Sequence, residues 1–252
     1  MIRFLPLKIE CDLFPFDADR IAEEDRNVAW EINDSLYSIT RYGEDFGAAV
    51  QLFDFSTAQS DELQRLKPLQ PDMTSLPTPE HVAQVTAYTS AVWDVRAQRQ
   101  IYDRWHFIAA RDGAVTIFNF GRSMEGIRAS LRKCPSLNAI IDQDALSAST
   151  RMLRDRFPRF DGMRHTVAHA AEFSHTEEAR ADHAAGNLFI SSSLFGREFT
   201  ATFDGKVVSY EISMDSFEVL KAVALMFISA FRPAVNPFFL RAQESYEQLK
   251  RS

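Results

Sequence analysis

Thr78-Pro79-Glu80-His81-Val82-Ala83-Gln84-Val85 is the stretch whose reading decides the class of this chain. A threonine hydroxyl accepts from the free amides of a first helical turn. A proline fits that turn because its missing N–H has no partner there. From this start Val82, Val85, Val92, Trp93, Ile101 and Trp105 recur at helical spacing, with Arg96, Arg99, Asp103 and Arg104 among them. The pattern predicts a long helix to about Ala110. Asp112 is then expected to cap a second helix over 113–133, which carries Ile117, Phe118, Phe120, Met124, Ile127 and Leu131 and stops at Cys134-Pro135-Ser136. Paired, the two would make a helical hairpin at the centre of the fold.

Upstream, residues 1–10 read as a short strand or extended arm. A helix over about 19–50 follows Pro15, with Ile21, Val28, Ile32, Leu36 and Ile39 at helical spacing and Gly43 and Gly47 weakening its end. Residues 56–78 lose periodicity and collect Pro68, Pro71 and Pro77, so they are expected to form a surface connection. This places a boundary between residues 1–78, an arm, helix and Pro-rich connection packing on the bundle, and residues 79–252, the bundle itself.

Downstream, a third helix is expected over 142–157, ended by Pro158, and a fourth over 161–173. Residues 188–193, 198–203 and 206–212 alternate or cluster apolar and β-branched side chains, with Asp204-Gly205 as a two-residue hairpin turn. Ser213 or Asp215 caps a helix whose Phe217, Val219, Leu220, Val223, Leu225, Met226, Phe227 and Ile228 are apolar on nearly all sides. Such a helix is buried in a bundle or in a subunit interface. A polar helical tail follows Pro233 and Pro237. The fold class expected is therefore mainly α: a helical bundle with a small inserted three-stranded antiparallel β-meander at about 188–212.

The chain of 252 residues can bury a sizeable core without disulfides or metal. Its two cysteines, Cys11 and Cys134, lie far apart in no CxxC, which points to a reducing compartment. The N-terminal residues lack a signal-peptide pattern, and no apolar run is long enough to span a bilayer. A cytoplasmic protein without membrane partners is expected. A net charge of −7 disfavours sequence-independent nucleic-acid binding, which relies on many Lys and Arg. There is no Gly-rich phosphate loop, no Gly-x-Ser-x-Gly elbow and no Gly-x-Gly-x-x-Gly.

One segment departs from this acidic background. Arg151, Arg154, Arg156, Arg159 and Arg164 stand against only Asp155 and Asp161, and a local cationic patch of this kind suits a phosphate-bearing ligand. Arg151, Arg154 and Arg159 are the expected phosphate contacts. The segment runs into Arg164-His165-Thr166-Val167-Ala168-His169. This Arg-polar-x-x-x-His pattern resembles the signature of the HEPN superfamily, all-helical domains that include RNA-cleaving toxins and non-catalytic members. A broader likeness in helix order covers about residues 79–231.

The resemblance implies a HEPN-like bundle that binds RNA or a nucleotide, and a metal-independent ribonuclease whose cleft lies between the subunits of a homodimer. It implies His169 as general base toward a ribose 2'-hydroxyl, Arg164 as stabiliser of the charge building on the phosphate, and His165 at the polar position. An antitoxin-like protein partner belongs to the same expectation. The residue chemistry is suitable, because imidazole titrates near neutral pH and guanidinium stays charged and grips oxyanions in two places. On one helix Arg164 and His169 stand roughly 140° apart, so they converge only on something lying across the helix end.

Two other readings of the same residues remain. The motif packs structurally in a non-catalytic helical interaction module. Alternatively His165, His169 and Glu172, close together on one helical face, hold a divalent metal, with a fourth ligand from His106, His175 or water. The expected protein carries no cofactor and no favoured metal.

Overall fold

A computed structural model describes residues 7–11, 13–66, 68–72, 74, 78–168 and 175–251. Two long helices frame it: α1 (Arg26–Arg65) and α2 (Pro79–Leu131). They run antiparallel along their length, since Gly43 meets Phe120, Thr57 meets His106 and Ser60 meets Asp103 across the seam. The Thr78 hydroxyl caps α2 by accepting from the His81 amide at 3.1 Å, as its sequence requires.

Asp112 does not begin a second helix, because α2 passes through Arg111-Asp112-Gly113 unbroken for 53 residues. Ala109, Ala110, Gly113 and Ala114 are buried there, and the close packing they allow outweighs the roughly 1 kcal/mol that a helical glycine costs. The central hairpin is consequently α1 with α2, not two halves of α2.

Likewise α1 neither stops near Val50 nor gives way to a loop at residue 56. Gly43 and Gly47 sit inside it because Ile9 packs against the first and Leu7 and Phe217 against the second, where a Cβ would come within 2.9 Å. Beyond them the helical periodicity is hidden because hydroxyls replace aliphatic side chains at the seam. Ser56 and Thr57 donate back to the Phe53 carbonyl at 3.0 and 2.9 Å.

After α2 come α3 (Pro135–Ile140), α4 (Gln143–Arg156, capped by Asp142), α5 (Phe160–Ala168) and α6 (Glu177–His183). The antiparallel sheet follows in the order β1 (Ser193–Phe195), β2 (Glu198–Phe203), β3 (Lys206–Glu211). Asp204 and Gly205 take φ of +50° and +68°, the turn expected from their sequence. The first strand lies later than residues 188–193. Over that stretch the chain runs beside β2 but is bonded partly through the Thr202 hydroxyl, which accepts from the Ile190 amide.

Ser213 then caps α7 (Met214–Ser229), and α8 (Pro237–Arg251) closes the chain. The architecture is thus mainly α, with eight helices among the described residues and one small meander. Residues on both sides of position 78 contribute to one buried cluster, including Ile32, Phe46, Ile117, Phe120, Leu153, Phe199 and Phe227. α7 packs on α4 and α1 and places Phe217, Leu220, Val223, Phe227 and Ile228 inside this cluster. No helix among the described residues is long and apolar enough to cross a membrane.

Candidate functional site

Helix α5 carries the motif, and its two faces have opposite roles. Phe160, Met163, Thr166 and Val167 are buried. Gly121 of α2 leaves room for the Phe160 ring, and Gly162 lies against Phe203 and Val208. Arg111 of α2 donates to the Val167 carbonyl at 3.1 Å. The helix is therefore fixed by its inner face and by this bond to α2.

The outer face presents Asp161, Arg164, His165 and Ala168 to solvent. The Arg164 guanidinium lies 5.2 Å above the Phe118 ring and makes no ion pair among the described residues. His165 stacks on Phe203 at 5.1 Å with rings 6° from parallel, and His183 stacks on the same ring at 5.3 Å and 10°. His183 Nδ1 accepts from the Asp204 amide at 3.3 Å. An amide only donates, so a neutral His183 keeps its proton on Nε2. His169 and Glu172 lie outside the described residues, and with them the second half of the motif and of the expected metal stripe.

The cationic segment does not converge on one point. Arg154 is 3.5 Å from Glu125, which also binds Arg122 at 2.7 Å. Arg156 turns the other way, toward Glu211 at 3.8 Å and the Ser216 hydroxyl at 3.4 Å. Arg151 lines an open groove between α4 and α7 whose walls also carry Asp155 and Glu218. Arg159 occupies the turn between α4 and α5 with φ of +60°. Arg151, Arg159 and Arg164 have no carboxylate partner among the described residues, whereas Arg154 and Arg156 do.

A second group has the outline of a nucleophile, base and orienter. Thr57 Oγ1 lies 3.0 Å from His106 Nε2, and Asp103 stands 4.0 Å from Nδ1. The single Thr57 proton, however, goes to the Phe53 carbonyl, so Nε2–H donates to Thr57 and the imidazole takes no proton from it. Asp103 is too far to orient the ring and accepts from Ser60 at 3.2 Å instead. Burial pushes His106 below its ordinary pKa, against the pull of Asp103. This is a polar seam between helices. Among the described residues no group of three or more His, Cys, Asp or Glu is arranged to hold one.

Sequence reasoning missed Phe118, Phe203, His183 and Arg111, which set the surroundings of Arg164 and His165. They come from α2, β2 and α6, and only the alternation along β2 offered a hint of Phe203's position. No family model matches the chain, and no curated protein or solved structure matches it either.

Proposed function

We propose that this chain is a HEPN-like protein that uses the outer face of α5 to bind RNA or a nucleotide through its phosphates. The observation that carries the reading is Arg164: an exposed guanidinium, unpaired among the described residues, set over Phe118 by a helix anchored in the core. A residue kept only to hold the bundle together would engage a carboxylate or carbonyl, as Arg111, Arg128 and Arg197 do. Arg151 and Arg159 are further cations without a carboxylate partner among the described residues, and Arg154 shares Glu125 with Arg122. In the reading's fullest form two chains pair, His169 draws the proton from a ribose 2'-hydroxyl, and Arg164 stabilises the charged phosphate without metal.

The test is cleavage and retention of single-stranded RNA by wild type, Arg164→Ala and His169→Ala, with sedimentation at micromolar concentration. Loss of cleavage at an unchanged melting temperature supports the enzyme. Arg151→Ala and Arg159→Ala should weaken retention and flatten its salt dependence, because each phosphate contact releases counterions. A monomer that neither cuts nor retains RNA, and that melts earlier when Arg164 is removed, would sink the reading.

One observation favours a second reading, a non-catalytic interaction module with a protein partner of the antitoxin kind. Trp93, Ile101 and Ile108 on α2 are 59%, 51% and 55% exposed, large apolar side chains of the kind that anchor protein interfaces. Under this reading Trp93→Ala abolishes partner binding, and Arg164→Ala leaves it intact.

A further inference from the structure

A cavity of about 340 Å³ lies beneath α8, sharing no residue with the α5 surface. Its floor is the core itself, through Leu36 of α1 and Leu225 and Ile228 of α7. Phe14 and Phe16 of the extended N-terminal arm form a wall, and Leu240 of α8 closes the top. The volume falls in the range of about 300–1,000 Å³ typical of small-molecule pockets. Leu13, Phe14, Phe16, Leu225, Ile228 and Leu240 make most of the wall apolar, which suits an apolar occupant.

The rim supplies the polar end. Arg232 lines it, is exposed, and forms no ion pair or side-chain hydrogen bond among the described residues. Glu10 lines it as well, and the two do not pair with each other. The roof, α8, is held by the Phe14–Phe239 ring stack at 5.8 Å and by the Asn236 amide donating to the Pro15 carbonyl at 3.1 Å.

We propose that this cavity binds an apolar monocarboxylate of medium chain length, with its carboxylate at Arg232 and its chain under α8. Arg232 selects the charge. Glu10 opposes it, so the two residues make opposite predictions for the same ligand.

The full chain is titrated calorimetrically with decanoate, decylamine and decanol, and melted with each. One saturable decanoate site per chain is expected, with Kd on the order of 100 µM, and decylamine should bind at least about tenfold more weakly. Leu240→Trp fills the space from the half-exposed roof and should abolish binding without lowering the melting temperature. Arg232→Gln should weaken decanoate about fivefold and erase its advantage over decanol, while Glu10→Gln should strengthen it. The proposal is overturned by the absence of saturable decanoate binding, by decanoate affinity that survives Leu240→Trp, by decylamine binding as tightly, or by Arg232→Gln and Glu10→Gln acting in the same direction.

Discussion

The hydroxyl of Tyr210 donates to the carbonyl oxygen of Ala110, fastening β3 to the interior of α2. The approach exists because Gly113, one turn along, has no side chain where that hydroxyl lies; a Cβ would meet the Tyr210 oxygen at 2.5 Å. A single hydrogen bond thus ties the meander to the longest helix at the point where the sequence suggests a break.

Gly113→Ala should destabilise the fold by about 1–3 kcal/mol, because overpacking here meets a ring held on all sides. Tyr210→Phe alone should cost about 1 kcal/mol. In the Tyr210→Phe background the alanine should be better tolerated, and denaturant unfolding of the four proteins measures the coupling. Strict additivity would contradict the contact. Burial, with Asp112 nearby, also holds the Tyr210 hydroxyl well above its ordinary pKa. Its stabilising neutral form is fully present below about pH 10 and is lost as pH rises through the raised folded value. Tyr210→Phe should therefore flatten the alkaline limb of the stability curve.

Asp25 should govern part of the acid limb. Its carboxylate accepts from the Ser136 hydroxyl at 2.6 Å and the Ser136 amide at 2.9 Å, capping α3 from a position distant in sequence. These bonds lower its pKa. The contribution is present above the unfolded value near 3.9 and fades as pH falls through the lowered folded value. Asp25→Asn should melt earlier at pH 7 and lose less stability than wild type between about pH 4 and pH 2. Parallel acid profiles for the two proteins would refute this role.

His106 works in a neighbouring pH window. Burial depresses its folded pKa, so the neutral imidazole bonded to Thr57 stabilises the seam above about pH 6.5, and protonation removes that stability as pH falls further. His106→Gln can still donate to Thr57 without titrating. Its melting temperature should be insensitive to pH across this window while that of wild type declines. NMR titration of the His106 ring with a midpoint at or above the free-histidine value would overturn the assignment.

Gly205→Val should loosen the meander by about 1–2 kcal/mol, because the second turn position holds φ at +68°, where a β-branched residue is strained. Asp204→Gly should be tolerated at the first position. A Gly205→Val protein that melts like wild type would require a different turn.

What was legible in the sequence was short in range. Thr78 and Ser213 each cap the helix that their residue type announced, within three residues of the amides they satisfy, whereas Asp112, expected to cap a helix, lies inside α2. Asp204-Gly205 specifies its turn because the strain of positive φ is a property of those two residues alone. The apolar spacing of α7 identified a buried helix for the same reason. On the α5 surface, the exposure of Arg164 and His165 agrees with their polar character, yet their surroundings were not legible.

The sequence by itself determined the helical class, the caps, the hairpin turn and the presence of a cation and imidazole together on α5, all set by interactions within a few residues. Only the tertiary structure decided that α2 is continuous at Gly113, that α1 reaches Arg65, that two imidazoles stack with Phe203 and that a cavity opens under α8. Each of these depends on partners far apart along the chain, such as Tyr210 with Ala110 or Ile9 with Gly43. Local propensities differ by about 1 kcal/mol per residue, and burying one large side chain is worth about 2–3 kcal/mol, so the distant contact prevails wherever the two disagree.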